Sequence, residues 1–236
     1  MIRAVLFDVG DTLILGHPKL WLWPLLEARG LAAKADPTRL PQATREAYAH
    51  YALHHMQATD EATALAFWRS FHRRIMEGIG LGEHAEAVAD YLAQNWQNPQ
   101  VWPVTPGARE ALAELRGLGF KLGVVSNWDW TLPGVLRATG LAEFFDYIGV
   151  SALEGVAKPD PRFFAIVLEA LGVRPAEAVH VGDSKDDIQG ARAAGVHPLL
   201  FDPYRRNPHA MGELAQVVAY VARRAGIDVP TQNPKD

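Results

Sequence analysis

The sequence predicts an α/β fold, a doubly wound, Rossmann-like parallel sheet with an all-helical cap inserted after its first strand. Three observations carry this. Short apolar runs alternate with helical stripes through residues 101–236, the pattern of a parallel sheet wound on both faces. The N-terminal run Ala4 to Phe7 reads as a buried strand that ends at Asp8, where Gly10 and Asp11 favour a turn. From residue 17 to residue 100 the chain has helical stripes and no strand-like alternation. That block is too long for a crossover connection and must lie outside the sheet. The expected division is a core of residues 1–16 and 101–236 and a cap of residues 17–100.

The elements follow in order. After the first strand, Leu13 to Gly16 forms a short apolar flap. The cap opens with Trp21, Leu22, Leu25 and Leu26 and pauses at Gly30. Pro41 to Met56, Glu61 to Ile79 and His84 to Trp96 each repeat apolar side chains at helical spacing. The pattern changes at Pro103-Val104-Thr105-Pro106-Gly107. A helix over Ala108 to Leu118 leads to a strand over Lys121 to Ser126. Thr131 to Thr139 is helical, Tyr147 to Val150 a strand, and Pro161 to Leu171 a helix stopped by Gly172. Ala178 to Gly182 is a strand, Asp186 to Ala194 a helix, His197 to Phe201 a strand, and Met211 to Ala225 a terminal helix before a polar tail expected to fray.

Composition narrows the function. The net charge of −4 offers no basic field for a nucleic-acid backbone. The absence of cysteine excludes disulfides, thiolate metal sites and a cysteine nucleophile. No apolar stretch is long enough to span a bilayer. The chain starts on a strand rather than a signal peptide, so the expected location is the cytoplasm. The expected partner is a small molecule, without nucleic acid or membrane.

Candidate site residues sit where strands end, the edge at which open parallel sheets bind ligands. Asp8 is a carboxylate closing a buried strand, costly unless a cation compensates it; a loop-capping aspartate is the plainer alternative. Ser126 and Asn127 end the second strand, where a hydroxyl and backbone amides can bind an anion or simply cap a helix. Lys158 precedes a proline and a helix and could neutralise a phosphate or Asp8; a solvated lysine is the alternative. Asp183, Asp186 and Asp187 open a helix after Gly182. Asp183 and Asp187, four apart, could share a cation, and an oxygen-only donor set suits magnesium. Helix-dipole complementation would explain one or two of these acids without a metal. His50 and His54 are spaced i,i+4 but have no acidic partner nearby, so the cap histidines, His55 and His72 included, read as surface or packing residues.

The order strand-Asp, strand-Ser, Lys-Pro before a helix, and strand-Gly-Asp with a downstream Asp resembles the haloacid dehalogenase superfamily. The motifs are Phe7-Asp8-Val9-Gly10-Asp11-Thr12-Leu13, Ser126-Asn127-Trp128-Asp129, Lys158-Pro159 and Gly182-Asp183-Ser184 through Gly190-Ala191. The resemblance spans nearly the whole chain, inserted cap included, and points to the capped, phosphatase-like branch. It implies that Asp8 is a nucleophile forming an aspartyl-phosphate. It implies a Mg2+ held by Asp8, the Gly10 carbonyl, Asp183 and, directly or through water, Asp187. Ser126 and Asn127 would hold phosphate oxygens, Lys158 would balance charge, and Thr12 would shape the phosphate loop. The implied activity is magnesium-dependent hydrolysis of a small phosphorylated metabolite.

The chain departs from that pattern at Gly10, where phosphatases of the family carry a second aspartate that protonates the leaving alcohol. Asp11, one residue later, is the candidate substitute. The same departure fits a 2-haloacid dehalogenase that uses Asp8 as nucleophile. Such an enzyme needs an arginine and an apolar cradle, for which the cap offers Arg39, Arg45, Trp21, Trp23 and Trp68. A catalytically degenerate binding module is the non-enzymatic alternative. Most of the tryptophans are expected to fill the cap core.

Overall fold

A computed structural model describes residues 1–227; the polar tail expected to fray lies outside them. In chain order the elements are β1 (Ala4–Phe7), α1 (Pro18–Ala28), α2 (Leu40–His54), α3 (Glu61–Gly78), α4 (Gly82–Gln94), α5 (Ala108–Gly117), β2 (Lys121–Ser126) and α6 (Leu132–Ala138). There follow β3 (Tyr147–Val150), α7 (Ser151–Glu154), α8 (Pro161–Leu171), β4 (Ala178–Gly182), α9 (Lys185–Ala193), β5 (His197–Leu200) and α10 (Leu214–Ala225). The five strands form one parallel sheet in the order β3-β2-β1-β4-β5. The α/β doubly wound architecture is therefore as the sequence predicts.

Alternation along β1 explains the two layers. Ala4 and Leu6 point to one face, where they join Phe163, Phe164, Val167 and Leu171 of α8. Val5 and Phe7 point to the other, among Leu112 and Leu115 of α5 and Val217 and Val221 of α10. All four β1 residues are buried, as expected of a central strand covered on both faces. Two helix signals also hold in detail. Asp160 accepts from the Arg162 N–H to cap α8, and Gly172 ends it in the left-handed region at φ 62°. Asp60 and Thr63 form a capping box at the start of α3.

The register places the site. Phe7 lies level with Val124 of β2 and Val181 of β4. The chain runs from β1 to β2 and β3 on one side, then returns to β4 and β5 on the other, so β1 and β4 flank the switch point where such sheets bind ligands. Asp8, Ser126 and Asp183 all emerge there. The helices between β1 and β2 pack on one another, α3 bearing most of the contact, and their apolar side chains run without a break into the core on the Val5–Phe7 face. Two chain crossings join them to the sheet. Leu15 N donates to Pro103 O at 2.8 Å and Thr105 N to Leu13 O at 2.9 Å, so the crossings hold each other. No helix among the described residues is long and apolar enough to cross a membrane.

One boundary moves for a physical reason. The terminal helix starts at Leu214 rather than Met211, because Met211 N donates to Leu200 O and Met211 bridges to Phe201, extending the β5 edge instead. A second feature ties the fold to the site. A Cβ at Gly190 on α9 would lie 2.7 Å from Phe164 Cε2 and 3.1 Å from Pro159 Cα. Gly190→Ala should therefore cost about 1–3 kcal/mol through overpacking, read as a lower urea midpoint with an unchanged slope.

Candidate active site

Asp8 follows β1 and is buried. Its Oδ1 accepts from Ser126 Oγ at 3.0 Å and from Lys158 Nζ at 2.7 Å. Oδ2 has no side-chain partner among the described residues. Lys158 also donates to Asp187 Oδ1 at 2.6 Å and is only 5% exposed. Burial pulls the lysine down, but Asp187 and Asp8 outweigh it, so the ammonium is held firmly charged and its pKa lies above the ordinary value. A buried lysine between two carboxylates is the reverse of the solvated alternative.

The lysine is placed by its backbone. Asn127 Oδ1 accepts from Lys158 N at 2.8 Å, and Asn127 Nδ2 donates to Lys158 O at 3.0 Å. The Asn127 side chain is thus spent on the Lys158 peptide unit, which leaves its backbone amide, the group expected to meet phosphate, for an anion.

Asp187 is committed on both oxygens. Oδ1 meets Lys158 and His180 Nε2, the latter at 2.8 Å; Oδ2 accepts from Ser184 N at 3.1 Å and Ser184 Oγ at 2.6 Å. Burial would raise its pKa, but Lys158 and His180 outweigh it and hold the carboxyl well below the ordinary range. With these four contacts and 0% exposure, Asp187 orients Lys158 and leaves little room for direct metal ligation.

Asp183 is different. It is half-buried and opens to the cavity. Burial first, then Asp8 and Asp187, push it up to about 8. Asp8 is likewise raised, by burial above all, with Lys158 opposing. One oxygen each of Asp8, Asp183 and Asp187 falls within 4.8 Å of the others. Three carboxylates against one ammonium leave excess negative charge, so the donor set fits a hard divalent cation. Asp8, Asp183 and the Gly10 carbonyl are the groups that would hold it. A proton on Asp183 competes with metal below about pH 8. Mg2+ affinity should therefore rise by up to about tenfold per pH unit up to that point and level off above it, measured by calorimetric titration between pH 6 and 9.

Asp11 lines the cavity, but one of its oxygens is taken up by anchoring contacts, and Thr12 is buried within the loop, its N donating to Val9 O. Asp11 lies at φ 50°, and its Oδ1 accepts from Gly16 N at 2.7 Å and from Tyr204 OH at 2.7 Å. It anchors the flap and the Tyr204 loop. Thr12 is 0% exposed, has no partner for Oγ1 and does not line the cavity.

Above Asp8 lies a cavity of about 300 Å³. Trp21, Trp68, Trp96, Trp102 and Trp128 line it; four of these, Trp21, Trp68, Trp96 and Trp128, are buried core side chains, as expected, so the cavity is walled by the core itself. Trp23 does not line it. Arg39 and Arg45 are exposed and stand away from it. Among the described residues, Lys158 is the one ammonium or guanidinium at its wall. His72 is buried and stacked on Trp68, the packing role expected of it, and also lines the cavity.

His180 was not singled out by the sequence, though a signal existed. A histidine at the centre of the apolar strand Ala178 to Gly182 must find a buried partner, and period-2 alternation puts it on the Gly182 side.

The chain belongs to the haloacid dehalogenase-like hydrolases, whose family model matches residues 2–195. Among curated proteins, it is 35% identical over 208 residues to human haloacid dehalogenase-like hydrolase domain-containing protein 3, covering 84% of this chain and 81% of that one. It is 35% identical over 171 residues to a phosphoserine phosphatase of Thermus thermophilus, covering 66% of each. Among solved structures, a dehalogenase superposes with a TM-score of 0.69 at 21% identity, over 94% of this chain and 97% of that one, a likeness of fold.

Proposed function

We propose that the chain is a magnesium-dependent phosphatase that hydrolyses a small phosphorylated metabolite through an aspartyl-phosphate, with residues 17–100 acting as a cap over the core. The observation that carries this is the pairing of Asp8, whose Oδ1 is pinned and whose Oδ2 is free, with the uncompensated Asp183 beside it. A phosphoserine phosphatase among the curated relatives supports the same reading.

Asp8 Oδ2 attacks phosphorus as the bond to the leaving oxygen breaks. Ser126 and Lys158 hold Oδ1, which aims Oδ2. Lys158 offsets charge that develops on the phosphoryl oxygens, and Asp187, fixed by His180 and Ser184, keeps Lys158 in place. Water then attacks phosphorus and releases Asp8. A Mg2+ held by Asp8, Asp183 and the Gly10 carbonyl would supply charge neutralisation for the attack. The aromatic walls exclude bulk water.

The wall argues against the haloacid alternative. A 2-haloacid carries a carboxylate that needs a cation of its own, and Lys158 is already shared by two carboxylates. A screen of phosphate esters and 2-haloacids, with and without Mg2+, tests the reading. Phosphate release that requires the metal is expected; halide release without it would replace the phosphatase by a dehalogenase.

Asp11→Asn separates anchoring from proton transfer. Because Asp11 holds Gly16 and Tyr204, the substitution should slow alkyl and aryl phosphates by the same factor. A loss confined to alkyl phosphates, of the roughly 10²–10⁴-fold that acid catalysis supplies, would make Asp11 the acid.

A further inference from the structure

We infer that the substrate is the phosphate ester of a neutral aromatic hydroxyl, an aryl phosphate whose ring occupies the tryptophan-lined cavity; this rests on the phosphatase reading above. Two independent observations meet in it.

The first is the wall. Asp8 opens into the same cavity as Trp21, Trp68, Trp96, Trp102 and Trp128. Tyr51, Phe71, Leu92 and Val101 complete an apolar surround. A sugar, a glycerol or an amino-acid backbone placed there would leave its hydroxyls and charges without partners, which costs affinity. A planar ring instead gains burial and edge or face contacts with the indoles. Away from the carboxylates, two buried side-chain nitrogens of the wall lack a hydrogen-bond partner among the described residues, Trp68 Nε1 and His72 Nδ1. His72 is buried, and burial lowers its pKa to about 3. It is therefore neutral and suits a neutral polar substituent on the ring.

The second observation is the proton supply. Gly10, two residues after Asp8, offers no acid side chain, and Asp11, although it lines the cavity, is tied by Oδ1 to Gly16 N and Tyr204 OH. An alkoxide cannot leave readily without a proton. A phenolate can, because phenols ionise near pH ~10. In the proposed step Asp8 Oδ2 forms a bond to phosphorus while the phosphorus–aryl-oxygen bond breaks. The bonding pair departs on the phenolate oxygen, so no proton crosses first. Water then attacks phosphorus and the Asp8–phosphorus bond breaks. One proton of that water ends on the phenol in solvent and the other stays with inorganic phosphate. The site thus selects for the ring twice, by its walls and by what it lacks at position 10.

The test crosses ring with leaving group at saturating Mg2+. The probes are 1-naphthyl phosphate, 1-naphthylmethyl phosphate, acetyl phosphate, glycerol phosphate and phosphocholine, the last being the cationic ester that an aromatic cage could also take. Naphthyl phosphate should have the highest kcat/KM. It should exceed acetyl phosphate by about tenfold or more, from ring burial, and naphthylmethyl phosphate by about 10²-fold or more, from the missing acid. Val101→Trp, which fills the cavity, should reduce the naphthyl-to-acetyl ratio by about tenfold. Because that variant can also fail to fold, 1-naphthol binding to the parent protein is read separately, by quenching of tryptophan fluorescence. Saturable quenching supports the inference, and its absence overturns it. Acetyl phosphate hydrolysed with no naphthyl preference, or glycerol phosphate or phosphocholine hydrolysed as well as naphthyl phosphate, overturns the aryl class and leaves the phosphatase standing. No hydrolysis of any ester overturns both.

Discussion

Asp8→Asn is expected to lose about 10⁴-fold or more in phosphate turnover while the protein stays folded. Asparagine keeps the shape of the side chain and can keep its contact with Ser126, but it has no anionic oxygen to attack phosphorus. Lys158 retains Asp187 as a partner at 2.6 Å, so no buried ammonium is left unpaired. The lost carboxylate is also one that burial already disfavours. Steady-state kinetics and a urea melt on the same preparation separate the two effects. Turnover within about tenfold of the parent would remove Asp8 from the chemistry, since loss of a nucleophile costs far more than that.

Lys158→Met is expected to damage both activity and stability. Its charge faces the site where phosphoryl oxygens would develop charge, so kcat should fall about 10²–10³-fold. Breaking a buried pair leaves Asp8 and Asp187 facing each other without their cation, a cost of about 3–5 kcal/mol at neutral pH. The pH dependence has a definite sign. The folded-state pKa of Asp187 is depressed below its ordinary value of 3.8. The stabilisation it reports is therefore fully present above that value and lost as pH falls toward the folded-state value. The stability gap between parent and variant should be widest near pH 7 and narrow below about pH 4. A gap that does not depend on pH would mean that Lys158 acts by packing alone.

How much of this was legible in the sequence follows from how local each signal is. β2, β3, β4 and α8 match the expected bounds because each is a short apolar run or stripe closed by its own stop, such as Gly172 after α8. Asp8, Ser126, Lys158 and Asp183 were legible because each ends a strand or opens a helix, and a parallel sheet gathers those ends on one edge. What each does to its neighbours was not. Asn127 brackets Lys158 from 31 residues away, and Tyr204 reaches Asp11 across 193; no spacing rule joins such positions. The tryptophans showed the same limit. An aromatic stripe on a helix predicts burial, and only the meeting of α1, α3 and the segments around Trp96, Trp102 and Trp128 decides whether it encloses a core or a cavity. Whether Arg39 and Arg45, offered for the haloacid alternative, reach the cavity was open for the same reason: helical spacing does not say which face overhangs Asp8, and neither lines it.

The central claim is that Asp8 carries the phosphoryl group during turnover. Turnover of acetyl phosphate with Mg2+, acid quench, reduction with borohydride and peptide mapping by mass spectrometry test it directly. Borohydride converts an aspartyl-phosphate to homoserine, so the account expects homoserine at position 8, absent when Mg2+ or substrate is omitted. Metal-dependent phosphate release with an unmodified Asp8, or with the label on another residue, would contradict it.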